Sequence, residues 1–246
     1  MNILGIPVDG VTMEEAVHRV GTFVKERQRP HMVVTANSEM IIAAHYDPLL
    51  GHILERADLV VPDGVGVVLA SRIHGRRFPQ RIPGVDLMQQ LLKRGQSVGW
   101  KFFLMGAEPG VAERAAAAIR VSFPEIQIVG CRDGFFAKDD EEAVLDELRA
   151  SQADILFLAM GVPRQEKWAA AHLGTAGIPV AMGVGGSFNI WAGLDKRAPK
   201  WMQTLGLEWL YRLLRQPTRW KRVGALPQFV MLVLWERLFC RGGTPK

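Results

Sequence analysis

The segment VVPDGVG, residues 60–66, places a single carboxylate, Asp63, between two apolar runs. An aspartate at such a junction has two uses. It can cap the helix that follows, accepting that helix's first amide hydrogens. Or it can stand as a base at the mouth of a pocket, because open α/β sheets bind their ligands beyond the C-terminal ends of the strands. The segment alone leaves both open.

Four other polar or glycine-rich junctions follow apolar runs in the same way. TANSE (35–39) offers Thr35, Asn37, Ser38 and Glu39, either as a helix cap at Asn37 or Ser38 or as hydroxyl and amide groups that bind a sugar. GAEPG follows the run FFLM. GVPRQEKW (161–168) sets Arg164, Gln165, Glu166 and Lys167 in one turn after Pro163, as pocket groups or as an ordinary solvated helix start. GVGGSFNIWAG (183–193) lets backbone amides at Gly185 and Gly186 approach a diphosphate, although Phe188 stands where a dinucleotide fingerprint needs its third glycine. The loop RRFPQRIPGVDL (76–87) carries Arg76, Arg77 and Arg81, as anion ligands or as solvated side chains.

The elements that must position these groups alternate along the chain. MNILGI, HMVVTA, ADLVVP, KFFLMG, IQIVGC, ADILFLAMG and IPVAMGVG read as strands, and most lack polar alternation, as strands buried on both faces do. Helical patterns separate them. Thr12 and Glu15 form a capping box ahead of one, and KDDEEAVLDELRAS concentrates acids at its start, where the helix dipole favours them. The alternation predicts an α/β doubly wound, mostly parallel sheet of Rossmann-like kind. From about Ala198 the strand pattern stops, and residues 198–246 read as a basic, Trp- and Arg-rich helical appendage to an α/β domain of residues 1–197.

Charge follows the same division. The 246-residue chain has a net charge of +5, but from Asp195 onward eleven Lys and Arg oppose three acids, so that stretch carries +8 and the rest −3. An anionic partner is expected at the basic end, and its Trp201, Trp209, Trp220, Trp235, Phe229 and Phe239 suit a lipid interface or packing on the core. No run approaches the roughly 20 apolar residues that span a bilayer, and no signal peptide is evident. Cys131 and Cys240 are far apart without a CxxC partner, as in a reduced cytoplasmic protein. The six histidines show no ligand spacing and DxD is absent, so no metal site and no cofactor is expected.

TANSE, PDGVGVV, RIPGVDL, MGVPRQEKW, GVGGSFNIWAG and KRAPKWMQTLGLEWLYRLLRQPTRWKR occur in this order, and with them the chain resembles the WecG/TagA/CpsF family of bacterial glycosyltransferases over essentially its whole length. The resemblance implies an inverting, metal-independent transferase that moves N-acetylmannosamine from a UDP-sugar donor to N-acetylglucosamine diphospho-undecaprenol, an acceptor of cell-wall polymer synthesis such as wall teichoic acid. It implies Asp63 as the general base, Thr35, Asn37, Arg81 and Gln165 as substrate-binding groups, and Arg212, Arg219 and Arg222 as ligands of the donor diphosphate. Gly185, Gly186 and Asn189 are expected near the nucleotide, with the departure that relatives commonly carry aspartate where this chain has Asn189. The implied setting is the inner face of the cytoplasmic membrane, with peripheral association, no nucleic-acid partner, and a homo-oligomer left open. Two alternatives stand beside this reading: the same acceptor with another UDP-hexose donor such as UDP-glucose, and a sugar-nucleotide-binding membrane-surface protein without catalysis.

Overall fold

The computed structural model of the protein describes residues 1–215 and 224–239. Six parallel strands form one sheet in the order β4-β3-β8-β7-β5-β6: β3 (His31–Ala36), β4 (Leu59–Pro62), β5 (Lys101–Gly106), β6 (Gln127–Arg132), β7 (Ile155–Ala159) and β8 (Val180–Gly183). These are six of the seven expected strands. The seventh, MNILGI, is instead a two-stranded antiparallel turn of β1 (Asn2–Ile3) and β2 (Ile6–Pro7) outside the sheet. Leu4 and Gly5 reverse the chain there with φ of 49° and 89°, a left-handed turn that breaks the run too early for a full strand.

Helices cover both faces. On one side α1 (Met13–Glu26), α5 (Gly84–Val98), α6 (Val111–Ser122) and α9 (Ser187–Trp191) bury Val20, Leu91, Ala116 and Phe188 against Val33, Phe102, Phe157 and Met182. The predicted capping box is present, with the Glu15 amide donating to Thr12 Oγ1 and the Thr12 amide to Glu15 Oε2. On the other side α7 (Glu141–Ser151) and α8 (Arg164–Ala176) pack on Phe103, Leu156 and Leu158. There too α2 (Ser38–Tyr46), α3 (Pro48–Glu55) and α4 (Val65–Ile73) pack on Val34 and Val60. Alternate residues of one strand, Phe157 and Leu158 in β7, thus serve different cores, which is why these strands read as unbroken apolar runs.

Among the described residues the last helices are α10 (Lys200–Thr204), α11 (Glu208–Arg215) and α12 (Ala225–Phe239). Helix α12 lies on α2 and α4, and its Phe229 and Val233 are wholly buried in the same core as Val34 and Val60. Phe229 is therefore a core side chain and not one of the aromatics free to meet a lipid surface. Trp201, Trp235 and Phe239 are 60%, 58% and 70% exposed, and Trp220 lies outside the described residues. Among the described residues no helix is long and apolar enough to cross a membrane.

The two ends of the sheet use their acids differently. At the N-terminal end, Asp58 accepts the Met32 amide, and Asp154 accepts the Lys101 amide, each at 2.8 Å. Arg29 pairs with Asp58 and Arg27 with Asp154. These carboxylates anchor strand starts. Asp63, at the opposite end, anchors no strand start.

Candidate active site

A cavity of about 620 Å³ opens over the C-terminal ends of β3, β4, β5, β7 and β8, and α11 contributes part of its wall. β4 delivers Asp63: the Asp63 amide donates to Ala36 O at 2.9 Å, continuing the β3–β4 pairing by one residue past the strand. The helix after it, α4, begins at Val65 with Gly64 as its N-cap and no side-chain cap bond. The capping role is thereby excluded, and the Asp63 carboxyl faces the cavity. It receives the Gly84 amide from the start of α5. Burial raises its pKa to about 6, against the lowering pull of Arg212, the Gly84 amide and Arg81, with Glu208 adding to the rise. Such a carboxyl is ionised near neutral pH yet retains appreciable proton affinity.

Thr35, next to last in β3, lies in the same cavity and is buried, its hydroxyl 3.4 Å from Gly183 O. The fit opposite it is close, because a Cβ at Gly84 would stand 3.0 Å from Thr35 Oγ1. Asn37 does cap its helix: its Oδ1 accepts the Met40 amide at 3.0 Å at the start of α2. That use leaves the Nδ2 end of the amide to a ligand, so the two readings of Asn37 are compatible.

Gln165 lines the cavity at the start of α8, but its amide is occupied. Oε1 accepts from Gly161 at 3.1 Å and from Gly185 at 3.3 Å, and Nε2 donates to Glu166 Oε1 at 2.7 Å. Gln165 thus ties the loop after β7 to the loop after β8. The Gly185 amide, expected to face a diphosphate, is committed to this tie. Glu166 beneath it is buried, which raises its pKa to about 7 against the lowering effect of the Gln165 bond. Gly186 and Asn189 line the cavity, and Asn189 O accepts the amides of Leu194 and Asp195, closing the turn after α9.

Of the three loop arginines, Arg81 reaches the cavity while Arg76 and Arg77 stay exposed outside its lining. Arg81 donates to Gln203 O at 3.3 Å and pairs with Glu208 at 3.7 Å. Arg212, on α11, also lines the cavity and donates to Glu208 Oε1 at 3.1 Å. Arg219 and Arg222 lie outside the described residues. Among the described residues no three His, Cys, Asp or Glu side chains converge as a metal site would require.

The structure therefore gathers Thr35, Asn37, Asp63, Arg81, Gln165, Asn189 and Arg212 around one opening, although they come from six separate segments. Sequence reasoning missed Gly84 and Glu208 as parts of this site, while Glu166, offered as a pocket group, lies beneath Gln165 and outside the lining. The spacing of Glu208 and Arg212, four apart on one helical face, was the available signal for Glu208. Chemically, the arrangement offers one base of near-neutral pKa beside two guanidinium groups able to hold a phosphate.

Comparison with known proteins finds relatives along nearly the whole chain. The description "Glycosyl transferase WecG/TagA/CpsF family" matches residues 1–242. The chain is 36% identical over 218 residues to the N-acetylglucosaminyldiphosphoundecaprenol N-acetyl-beta-D-mannosaminyltransferase of Bacillus spizizenii, covering 89% of this chain and 84% of that one. It is 35% identical over 227 residues to the protein of the same name from Staphylococcus aureus strain MW2, covering 92% and 87%.

Proposed function

Since the chain belongs to the WecG/TagA/CpsF family of glycosyltransferases, we propose that it transfers N-acetylmannosamine from UDP-N-acetylmannosamine to N-acetylglucosamine diphospho-undecaprenol, with Asp63 as base. The observation that carries the reading is the Asp63 carboxyl in the cavity, which does not cap α4, with the charges of Arg81 and Arg212 acting on it. Relatives named for this transfer match nearly the whole chain.

In this reading the ionised Asp63 carboxylate takes the proton from the acceptor sugar's attacking hydroxyl. The freed oxygen bonds to C1 of the donor sugar from the face opposite UDP. The bond between C1 and the diphosphate oxygen breaks, and UDP leaves with the electron pair, which inverts the anomeric centre. A positioned base contributes typically about 10²–10⁴-fold. The negative charge that gathers on the departing diphosphate needs cationic partners. Arg81 and Arg212 supply them, joined by Arg219 and Arg222. Thr35 and the Nδ2 of Asn37 bind sugar hydroxyls, and Gln165 acts by holding the two strand-end loops that shape the cavity. Gly186 and Asn189 border the nucleotide.

The acceptor in this reading is lipid-linked, and the surface of α12 suits work at a bilayer. Met231, Leu234, Trp235 and Leu238, spaced three or four apart, are all exposed on one stripe, away from the buried Phe229 and Val233. Together with the basic residues of the chain's end they fit peripheral association with an anionic membrane surface.

The deciding experiment offers UDP-N-acetylmannosamine, UDP-N-acetylglucosamine and UDP-glucose in turn with a synthetic lipid-diphosphate N-acetylglucosamine acceptor, in the presence of EDTA. Transfer from UDP-N-acetylmannosamine with inverted linkage is expected. Preference for another donor would reassign the sugar, and absence of transfer from all three would remove the enzymatic reading.

A further inference from the structure

Glu208 opens α11 with its carboxylate turned into the cavity and only 8% of the residue exposed. An unpaired carboxylate buried to that degree would cost several kcal/mol. Glu208 is paired with three arginines from three segments: Arg212 one turn along the helix at 3.1 Å, Arg81 from the loop before α5 at 3.7 Å, and Arg197 from the stretch before α10 at 3.9 Å. Arg197 is itself held by both oxygens of Asp86 on α5. Among the described residues Glu208 is the carboxylate within ion-pair distance of both Arg81 and Arg212. The two arginines proposed to receive the diphosphate are thus joined through one acid that touches no part of the reacting sugar in the proposed mechanism.

The arrangement has a physical purpose. Two guanidinium groups facing one opening repel each other, and the rotamer entropy of each long side chain favours swinging into water. A shared carboxylate between them removes the repulsion and fixes both directions at once. It also joins α11 to the loop before α5, so the helix and the site form one unit.

We propose that Glu208 is a positioning residue for the transfer: it holds Arg81 and Arg212 together at the place where charge gathers on the departing diphosphate. The proposal rests on the reading of Asp63 as base and of the two arginines as diphosphate ligands. Two consequences separate it from a role in stability alone. First, Glu208 and the donor diphosphate are both anions drawn to the same guanidinium groups, so removing the Glu208 charge does not weaken the donor's ground-state binding. It removes the orientation needed as the bond to C1 breaks, which lowers kcat. Second, the Glu208 charge disfavours ionisation of Asp63, so its removal lets Asp63 ionise at lower pH. The charged groups acting on Asp63 are Arg81, Glu208 and Arg212, while Glu39, Arg164 and Asp195 line the same cavity.

The test compares full-length wild type, Glu208→Gln, Glu208→Asp and Asp63→Asn, with UDP-N-acetylmannosamine and the lipid acceptor, between about pH 5 and 9. For Glu208→Gln, kcat falls about tenfold, the donor KM does not rise, and the acid limb of kcat/KM moves to lower pH. Glu208→Asp retains the charge one methylene further back, so it keeps the wild-type limb while losing part of kcat. Should the glutamine variant not fold, the aspartate variant and its UDP affinity by calorimetry carry the test. A Glu208→Gln enzyme with kcat within twofold of wild type and an unmoved limb overturns the proposal. So does a loss of kcat in both variants that tracks their melting temperatures without any change in pH profile. Wild-type turnover by Asp63→Asn overturns the underlying assignment of the base instead, and this proposal with it.

Discussion

Gly183, the last residue of β8, lies directly against the amide of Gln165: a Cβ built on it would stand 2.4 Å from Nε2 and 3.1 Å from Glu166 Oε1. The backbone of β8 makes this approach so that Gln165 can reach both Gly161 and Gly185. The floor of the cavity is therefore a polar tie that only a residue without a side chain leaves intact.

Gly183→Ala is expected to break that tie. The overlap is with a buried amide hydrogen-bonded at both ends, so overpacking should cost about 1–3 kcal/mol. The loops after β7 and β8 should then shift, and kcat/KM should fall more than the loss of stability accounts for. Thermal melting alongside steady-state kinetics checks this. A variant that melts and turns over like wild type would show that the loops do not depend on Gln165.

Asp63→Asn should keep the fold and the donor affinity, and lose turnover by roughly tenfold or more. In the wild type the base must be ionised, so kcat/KM should fall as pH drops through about 6. The variant should lack that limb. Wild-type turnover by the asparagine variant across the pH range would remove Asp63 from the chemistry.

Burial gives a second pH signature, in stability. Glu166 and Asp63 have folded-state pKa values raised to about 7 and about 6, above the ordinary carboxyl range. Between the unfolded and the folded values the native protein binds more protons than the unfolded chain, so stability falls as pH rises through that window. The penalty is absent in acid and complete above about pH 7. Glu166→Gln removes the Glu166 share while its amide oxygen still accepts from Gln165. Its melting temperature should exceed that of wild type at pH 8 and converge with it near pH 4. A difference independent of pH would show that Glu166 is not titrating in the fold.

The two faces of α12 should separate cleanly by mutation. Trp235→Glu and Leu238→Glu alter side chains 58% and 71% exposed and should change stability by no more than about 0.5 kcal/mol, yet abolish co-sedimentation with anionic vesicles at low salt. Phe229→Ala empties a wholly buried site and should cost about 3–5 kcal/mol. Unchanged vesicle binding by the double glutamate variant would place the membrane contact elsewhere.

What the sequence determined by itself lies within short reach along the chain. Five of the six sheet strands were legible because both of their faces are buried (β6 is the half-exposed exception), the α1 capping box because its partners are three residues apart, and the position of Asp63 because apolar runs announce where strands stop. The order β4-β3-β8-β7-β5-β6 was not legible, and that order decides which junctions share an opening by seating β4 and β8 on either side of β3. Only the tertiary structure could show that Gly64 and not Asp63 caps α4, since the difference is one residue of backbone. It set Arg81 in the cavity apart from Arg76 and Arg77, as the family resemblance implied, and it alone turned Gln165 inward as a tie and set Glu208 against arginines 127 and 11 residues away. Periodicity and caps are local preferences of the backbone. The meeting of charges across the sheet depends on how the faces pack, and no local pattern along the chain records it.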